Sequence, residues 1–415
     1  MNAQENQTTA SPAGEVDWEA FCRQPLEAVL RKPTPAYAGV VEEPAREHIR
    51  ELMSTEYMQQ MLTRYTEPEK LVEIADAFRE WAESRPAGSS LLLEAEDDVD
   101  YCFAGDVHAS FDTLLQVWAL MRERAAASGR RVCLVLLGDI VDRGLADFPC
   151  LAMVEDLLMR GEQDGVRLLC LRGNHDEALW QDPRGNFHSY VRPAGTADAL
   201  NDLRYYGPAG AAESLGRAAI ELARISPCVG ELTGLVPEQG NRSLLFAHGG
   251  VPHVDLQQEM LEHWQDYTPH TGRPLFDSLP GQAREKWEQD FTWIRLTDRV
   301  LHQKPDRGIY GIEMGTQDVN TYRRLHLRLT GRAIGFMLRG HDHEPTGYRL
   351  YSYDSVHNPI RNKCAQKNCG VLTINTMEHH MGIPRFAHAR PALACVRRGG
   401  SVGVILLLAS DSEAE

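Results

Sequence analysis

From about residue 99 the chain alternates short apolar runs with longer segments whose apolar positions recur every three to four residues. Val99–Ala104, Arg131–Leu137 and Val166–Leu171 have strand length and end at glycine or polar clusters. Phe111–Ala127 and Phe148–Arg160 between them read as helices. That βαβαβ rhythm predicts an α/β fold with a mainly parallel sheet and polar residues gathered along one edge. Ser243–Ala247, Ile334–Leu338, Val371–Asn375 and Val402–Leu408 read as further strands. Trp180–Leu222 is mixed and mostly helical, and Gln257–Arg332 is long and irregular.

Ahead of this region, Pro44–Ser84 carries a helical pattern through Ile49, Leu52, Met58, Met61, Leu71, Ile74, Phe78 and Trp81. A break at Glu67-Pro68 predicts two amphipathic helices packed on the main domain, with a docking surface for substrate or partner as the sharper alternative. The expected organisation is a disordered segment 1–16, an N-terminal helical extension 17–98, a main domain 99–409 and an acidic tail 410–415.

Composition narrows the partners. A net charge of −16 disfavours nucleic acid, which is held by basic surfaces. It leaves room for one local positive pocket. The nine cysteines are odd in number, and Cys102, Cys133 and Cys170 fall inside apolar runs, so a reducing, cytoplasmic setting is expected. Cys364 and Cys369 form a C-x4-C pair with no second pair to complete a zinc site. No secretory signal is visible at the N-terminus, and no apolar run is long enough to cross a membrane.

The chemistry gathers at strand ends. Five apolar runs close on GDVH, GDIVDRG, RGNHD, HGG and RGHDH. Turns do not need Asp, His and Asn; metals do. Sorting donors gives Asp106, His108, Asp139, Asn174, His248 and His341, a mixed oxygen and nitrogen set suited to two divalent transition ions. Asp139, in the central loop, is the expected bridging carboxylate. Two ions roughly 3.5–4 Å apart can hold a hydroxide between them and polarise a phosphoryl oxygen. His175 follows a ligand directly and is the candidate general acid, with Asp142 orienting it. Arg143 and Arg307 are candidates for gripping phosphate, although Arg307 alone also reads as a surface charge.

These motifs resemble those of the phosphoprotein phosphatase family, in a divergent bacterial-type form. They are GDVH at Gly105–His108, GDIVDRG at Gly138–Gly144, RGNHD at Arg172–Asp176, HGG at His248–Gly250 and RGH at Arg339–His341. DRGIYGIEMG at Asp306–Gly315 is similar to the stretch carrying the family's second phosphate-binding arginine, and Trp293 lies upstream as a family tryptophan does. The resemblance implies a metallophosphoesterase αββα sandwich of two mixed sheets. It implies two-metal phosphomonoester hydrolysis, with manganese first and iron or zinc as alternatives. Asp106 and His108 would hold one ion and Asn174, His248 and His341 the other, with Asp139 between. Arg143, Arg307, Asn174 and His175 would face the phosphate of a phosphorylated protein or peptide.

The sequence departs from the family at three places. Ala109 replaces a glycine, which argues against positive φ there. Asp176 replaces a glutamate. Ile374–His380 lacks the family's tyrosine-bearing loop. His343 forms a GHxH pattern found in broader metallophosphoesterases and is a candidate added ligand. Two other readings stay open: a nucleotide or dinucleotide polyphosphate hydrolase of the same fold, and an inactive phosphatase-like binding module.

Overall fold

Every residue of strand Val99–Ala104 is buried, which requires cover on both faces. Alternate side chains reach two different cores. Cys102 and Ala104 meet the helices, whereas Tyr101 and Phe103 point between two sheets. The computed structural model describes residues 37–236, 242–262, 275–279, 281–297, 312–352, 370–377 and 390–407.

The first six-stranded sheet runs Tyr37–Glu42, Val402–Leu406, Ala392–Arg397, Val99–Ala104, Arg131–Leu136, Val166–Cys170. The last three are mutually parallel, and Ala392–Arg397 is antiparallel to both its neighbours. The second runs Tyr348–Ser352, Gly370–Ile374, Ala333–Arg339, Arg242–Ala247, Val229–Thr233, Ser90–Glu94. Its middle three strands are parallel, flanked by antiparallel pairings.

Between the sheets lies an apolar layer that includes Phe103, Val135, Phe246, Leu338 and Ala394; the Phe103 and Phe246 rings sit 5.2 Å apart. Helices Phe111–Ser128, Asp147–Arg160 and Ala211–Ile225 cover the outer face of the first sheet, burying Trp118, Val154 and Leu215. Helices Val254–Glu262, Gly281–Trp293 and Thr316–Thr330 cover that of the second, with Trp287, Phe291 and Tyr322 in contact. The result is the expected αββα sandwich of two mixed sheets.

The segment expected as two helices holds three: Arg46–Met53, Glu56–Arg64 and Pro68–Glu83. The added break falls at Ser54-Thr55, whose hydroxyls donate to Glu51 O and Leu52 O, while Thr55 Oγ1 accepts the Met58 N–H. Nor is the N-terminal extension wholly helical. Tyr37–Glu42 and Ser90–Glu94 form edge strands, one in each sheet. Met58, Met61, Tyr65, Ile74 and Phe78 join the core of the main domain. Among the described residues no helix is long and apolar enough to cross a membrane.

Candidate metal centre and active site

The polar clusters sit where parallel strands of both sheets end, the edge at which open α/β sheets place ligands. Glycine lets the loops crowd together. A Cβ on Gly138, at φ 100°, would collide with the Gly173 backbone. The loops are also laced by backbone bonds. Val107 and His108 N–H donate to Asp139 O at 3.1 and 2.8 Å, and Gly340 N–H to His248 O at 3.0 Å.

Asp139 stands at the centre. Its Oδ1 accepts the His175 backbone N–H at 2.8 Å. Its Oδ2 lies 3.4 Å from His108 Nε2 and 3.3 Å from His248 Nε2. One carboxylate oxygen thus reaches a histidine on each side. Two donor groups include it: His108, Asp139 and His175, and Asp139, His248 and His341, with ligating atoms all within 4.8 Å of one another in each. A third, Asp106, His108 and His343, meets the same limit.

The imidazoles are pre-oriented. His108 Nδ1 bonds Val141 O at 2.9 Å and His248 Nδ1 bonds Leu137 O at 3.0 Å. A carbonyl only accepts, so each Nδ1 carries the hydrogen and Nε2 faces the centre. Asn174 Oδ1 and His341 Nδ1 lie 3.0 and 3.1 Å from His248 Nε2. Among the described residues, buried His341 Nε2 finds no hydrogen-bond partner, and buried Asp106 Oδ2 has beside it imidazole nitrogens, His343 Nε2 at 3.2 Å and His108 Nε2 at 3.7 Å. Buried polar atoms normally find a partner, and a cation would satisfy both. The donor chemistry and these two atoms fit a pair of divalent ions.

A second group adjoins the first. His175 Nδ1 lies 2.8 Å from Asp142 Oδ2, and Arg143 Nη2 donates to His175 Nε2 at 2.7 Å. Arg143 Nη1 donates to His108 Nε2 at 3.0 Å and also contacts His343. Asp106 Oδ2 is 3.2 Å from His343 Nε2. The structure therefore brings Asp106, His108, Asp139, Asp142, Arg143, Asn174, His175, His248 and His341 together, and adds His343.

Electrostatics follow from packing opposite charges without water. Burial alone would raise the Asp139 carboxyl, but His248, His175 and His108 hold it well below the usual range. Burial would lower His248, yet Asp139 and Asp106 outweigh it and hold the imidazole up at about 9. A metal must displace that proton to bind. Burial, then the charges of Arg295 and His248, push His341 down.

Two details differ from expectation. Ala109 does adopt positive φ, at 54°, beside His108 at 46°. Its N–H is tied to Ile140 O at 2.8 Å, so loop-to-loop bonding overrides the preference of alanine. Asp176 is not merely a shortened glutamate. Its carboxylate accepts the N–H groups of Asp139, Ile140 and Gly173 at 2.7–2.9 Å. Burial, then the charge of Asp139, push it up to about 6. Arg307, Cys364, Cys369 and Glu378–His380 lie outside the described residues. Sequence reasoning missed Thr196 and Asp147 beneath Asp142, since no motif marks them. It also missed Arg295, whose Nη1 lies 3.3 Å from Asp342 Oδ1, between His341 and His343.

A family model of the calcineurin-like phosphoesterases matches residues 101–345, more than half of the chain. The protein belongs to that family of metallophosphoesterases, and is accordingly a hydrolase of phosphoesters. No curated protein matches the sequence. Among solved structures, a protein serine/threonine phosphatase from Saccharomyces cerevisiae with similarity to human phosphatase PP5 is similar with a TM-score of 0.52 at 12% identity. The match covers 89% of this chain and 98% of that one, and at such identity it speaks to the shared fold. A cold-active protein-tyrosine phosphatase of a psychrophilic Shewanella species matches at a TM-score of 0.36 and 14% identity, over 75% of this chain and 78% of that one.

Proposed function

We propose that the chain is a binuclear metal-dependent phosphomonoesterase of the phosphoprotein phosphatase branch, acting on phosphorylated side chains of proteins. One observation carries the reading. Asp139 Oδ2 sits between inward-facing His108 and His248, with buried Asp106 Oδ2 facing the His343 and His108 imidazoles and buried His341 Nε2 without a hydrogen-bond partner among the described residues. Asp106, His108 and Asp139 would hold one ion, with His343 as an added ligand; Asp139, Asn174, His248 and His341 would hold the other. Manganese is the first expectation. Bound there, such ions supply Lewis acidity and a water activated near neutral pH.

The protein's own residues then have distinct tasks. Arg143 lies half-buried against three imidazoles, and its planar fork suits two phosphate oxygens at once. As those oxygens take over its N–H groups, His175 Nε2 is released to hold a proton against the leaving oxygen. Asp142 keeps the imidazole turned that way through the 2.8 Å contact at Nδ1. Asn174 would serve both as a metal ligand and as a contact to the phosphate. Arg307 is proposed as a second grip on phosphate, and the N-terminal helices as a docking face for the protein substrate, in a cytoplasmic setting.

The test is hydrolysis of p-nitrophenyl phosphate with and without manganese, followed by a phosphopeptide panel assayed against nucleotides. Metal-dependent turnover with preference for phosphopeptides is expected. Preference for nucleotides would move the substrate class, and absence of any turnover would favour a binding module.

A further inference from the structure

Asp142 does not stand alone beneath His175. Its Oδ1 accepts the Thr196 backbone N–H at 2.9 Å and lies 2.9 Å from Thr196 Oγ1. Thr196 Oγ1 is also 2.6 Å from Asp147 Oδ1, and that same oxygen accepts the Asp142 N–H at 2.7 Å. All three side chains are buried. A threonine hydroxyl has one hydrogen to donate, yet it faces a carboxyl oxygen on either side. With Asp147 ionised the two carboxyl oxygens compete for that hydrogen, whereas a proton on Asp147 leaves the hydroxyl free to donate to Asp142 Oδ1. The setting agrees: burial pushes the Asp147 carboxyl up.

Geometry gives this chain a purpose. Asp142 holds His175 through Oδ2 alone. A carboxylate with one contact turns about its own axis, carrying the imidazole with it. Here two donors from Thr196 fix Oδ1, so Oδ2 has one direction left. Thr196 lies in the first turn of helix Gly195–Tyr206, where the helix dipole also favours the Asp142 charge. Asp147 opens helix Asp147–Arg160. Two helix starts thereby grip one residue of a strained loop, Thr196 at its carboxylate and Asp147 at its backbone N–H, with Asp142 at φ 66°.

We propose that Thr196, anchored by Asp147, is a positioning residue that fixes the Asp142 carboxylate so that His175 Nε2 meets the leaving oxygen. The inference rests on the reading of His175 as proton donor. A displaced donor matters most where the leaving oxygen is basic, because good leaving groups depart without a proton.

The test is kcat and KM of the full-length, manganese-loaded protein on aryl phosphates spanning good to poor leaving groups. Thr196→Val removes the hydroxyl at nearly constant shape. Its kcat should fall about 10–100-fold on phenyl phosphate, the usual scale for a group supporting a catalytic residue, with little change on dinitrophenyl phosphate. KM and bound manganese should be unchanged. Thr196→Ser, which keeps the hydroxyl, should restore the leaving-group dependence. An equal loss on all substrates, or failure of Ser to rescue, would overturn the proposal. If the Val variant does not fold, Thr196→Ala carries the same expectations. His175→Asn, assayed in parallel, separates the two ideas. A flat response in that variant would remove the proton-donor reading itself, whereas a steep response there and a flat one in Thr196→Val would sink the positioning role alone.

Discussion

Two buried carboxylate clusters in this molecule are built on opposite plans. Asp156, on the helix layer, has both oxygens satisfied. Arg64 donates at 3.0 and 3.1 Å, Arg160 Nε at 3.1 Å and Tyr65 Oη at 2.7 Å, all from regular helices or their caps. The Asp106–Asp139 cluster leaves buried His341 Nε2 unpartnered among the described residues and is carried on loops where His108, Ala109, Asp139, Asp142, Arg143 and His341 all hold positive φ. A fold that needs only stability closes its own hydrogen bonds. A fold that must receive something keeps donors aimed at an unfinished centre and tolerates strain to do so.

The largest expected effect comes from altering the open cluster at its hub. Asp139→Asn should lower phosphatase activity by about 10⁴-fold or more, the scale of losing a core catalytic group. It should also reduce bound metal below two equivalents by elemental analysis. Its melting temperature without metal should fall, because the Asp139 carboxylate is favourably paired with His248, His175 and His108, while Asn keeps the acceptor for the His175 N–H and lets the chain still fold. Full turnover in this variant would erase the contrast between the clusters. Next in size, His175→Asn should cost about 10²–10⁴ on substrates with basic leaving groups. Uniform loss across leaving groups would argue that the imidazole does not deliver the proton.

A third variant sharpens the comparison with a group that belongs to neither plan. Glu155 is 1% exposed, and burial pushes its carboxyl up to about 8. Unfolded, it would ionise near its ordinary value of 4.5. Below that both states hold the proton and nothing is lost. Between the two values the unfolded chain releases its proton while the folded one keeps it, so wild-type stability falls as pH rises and levels off above 8. Glu155→Gln should therefore be more stable by about 3 kcal/mol at pH 7, with the advantage vanishing near pH 4. A pH-independent difference in denaturant melts would refute this.

The smallest effect is expected in the closed cluster. Asp156→Ala should cost about 1–3 kcal/mol, less than a fully buried pair, since the Arg64 and Arg160 side chains are 36% and 40% exposed. Turnover should stay within about twofold of wild type. A catalytic defect there would mean that the helix layer reaches the site.

The site was legible in sequence for a physical reason. Candidate ligands leave the ends of strands through tight turns, so most stand next to glycine and after an apolar run, as Asp106, Asp139 and His341 do. Thr196 was not legible, because Ala-Gly-Thr-Ala reads as an ordinary helix start and its partner lies 54 residues away. Strand Ala392–Arg397 escaped notice because two of its six residues are alanine and its pairing with Val99–Ala104 spans most of the chain. Strands Ser90–Glu94 and Val229–Thr233 pair with each other across a shorter but still long gap, Ser90 opposite Val229, and only the sheet reveals them. Ala109 shows the same lesson in backbone: intrinsic preference yields when a neighbouring loop supplies the hydrogen bond.

The most direct measurement is an anomalous difference map from crystals grown with manganese. Two peaks are expected, one on the His108 side of Asp139 and one on the His248 side, each within coordination distance of its carboxylate. A single peak, or metal bound away from Asp139, would contradict a two-ion centre bridged by Asp139.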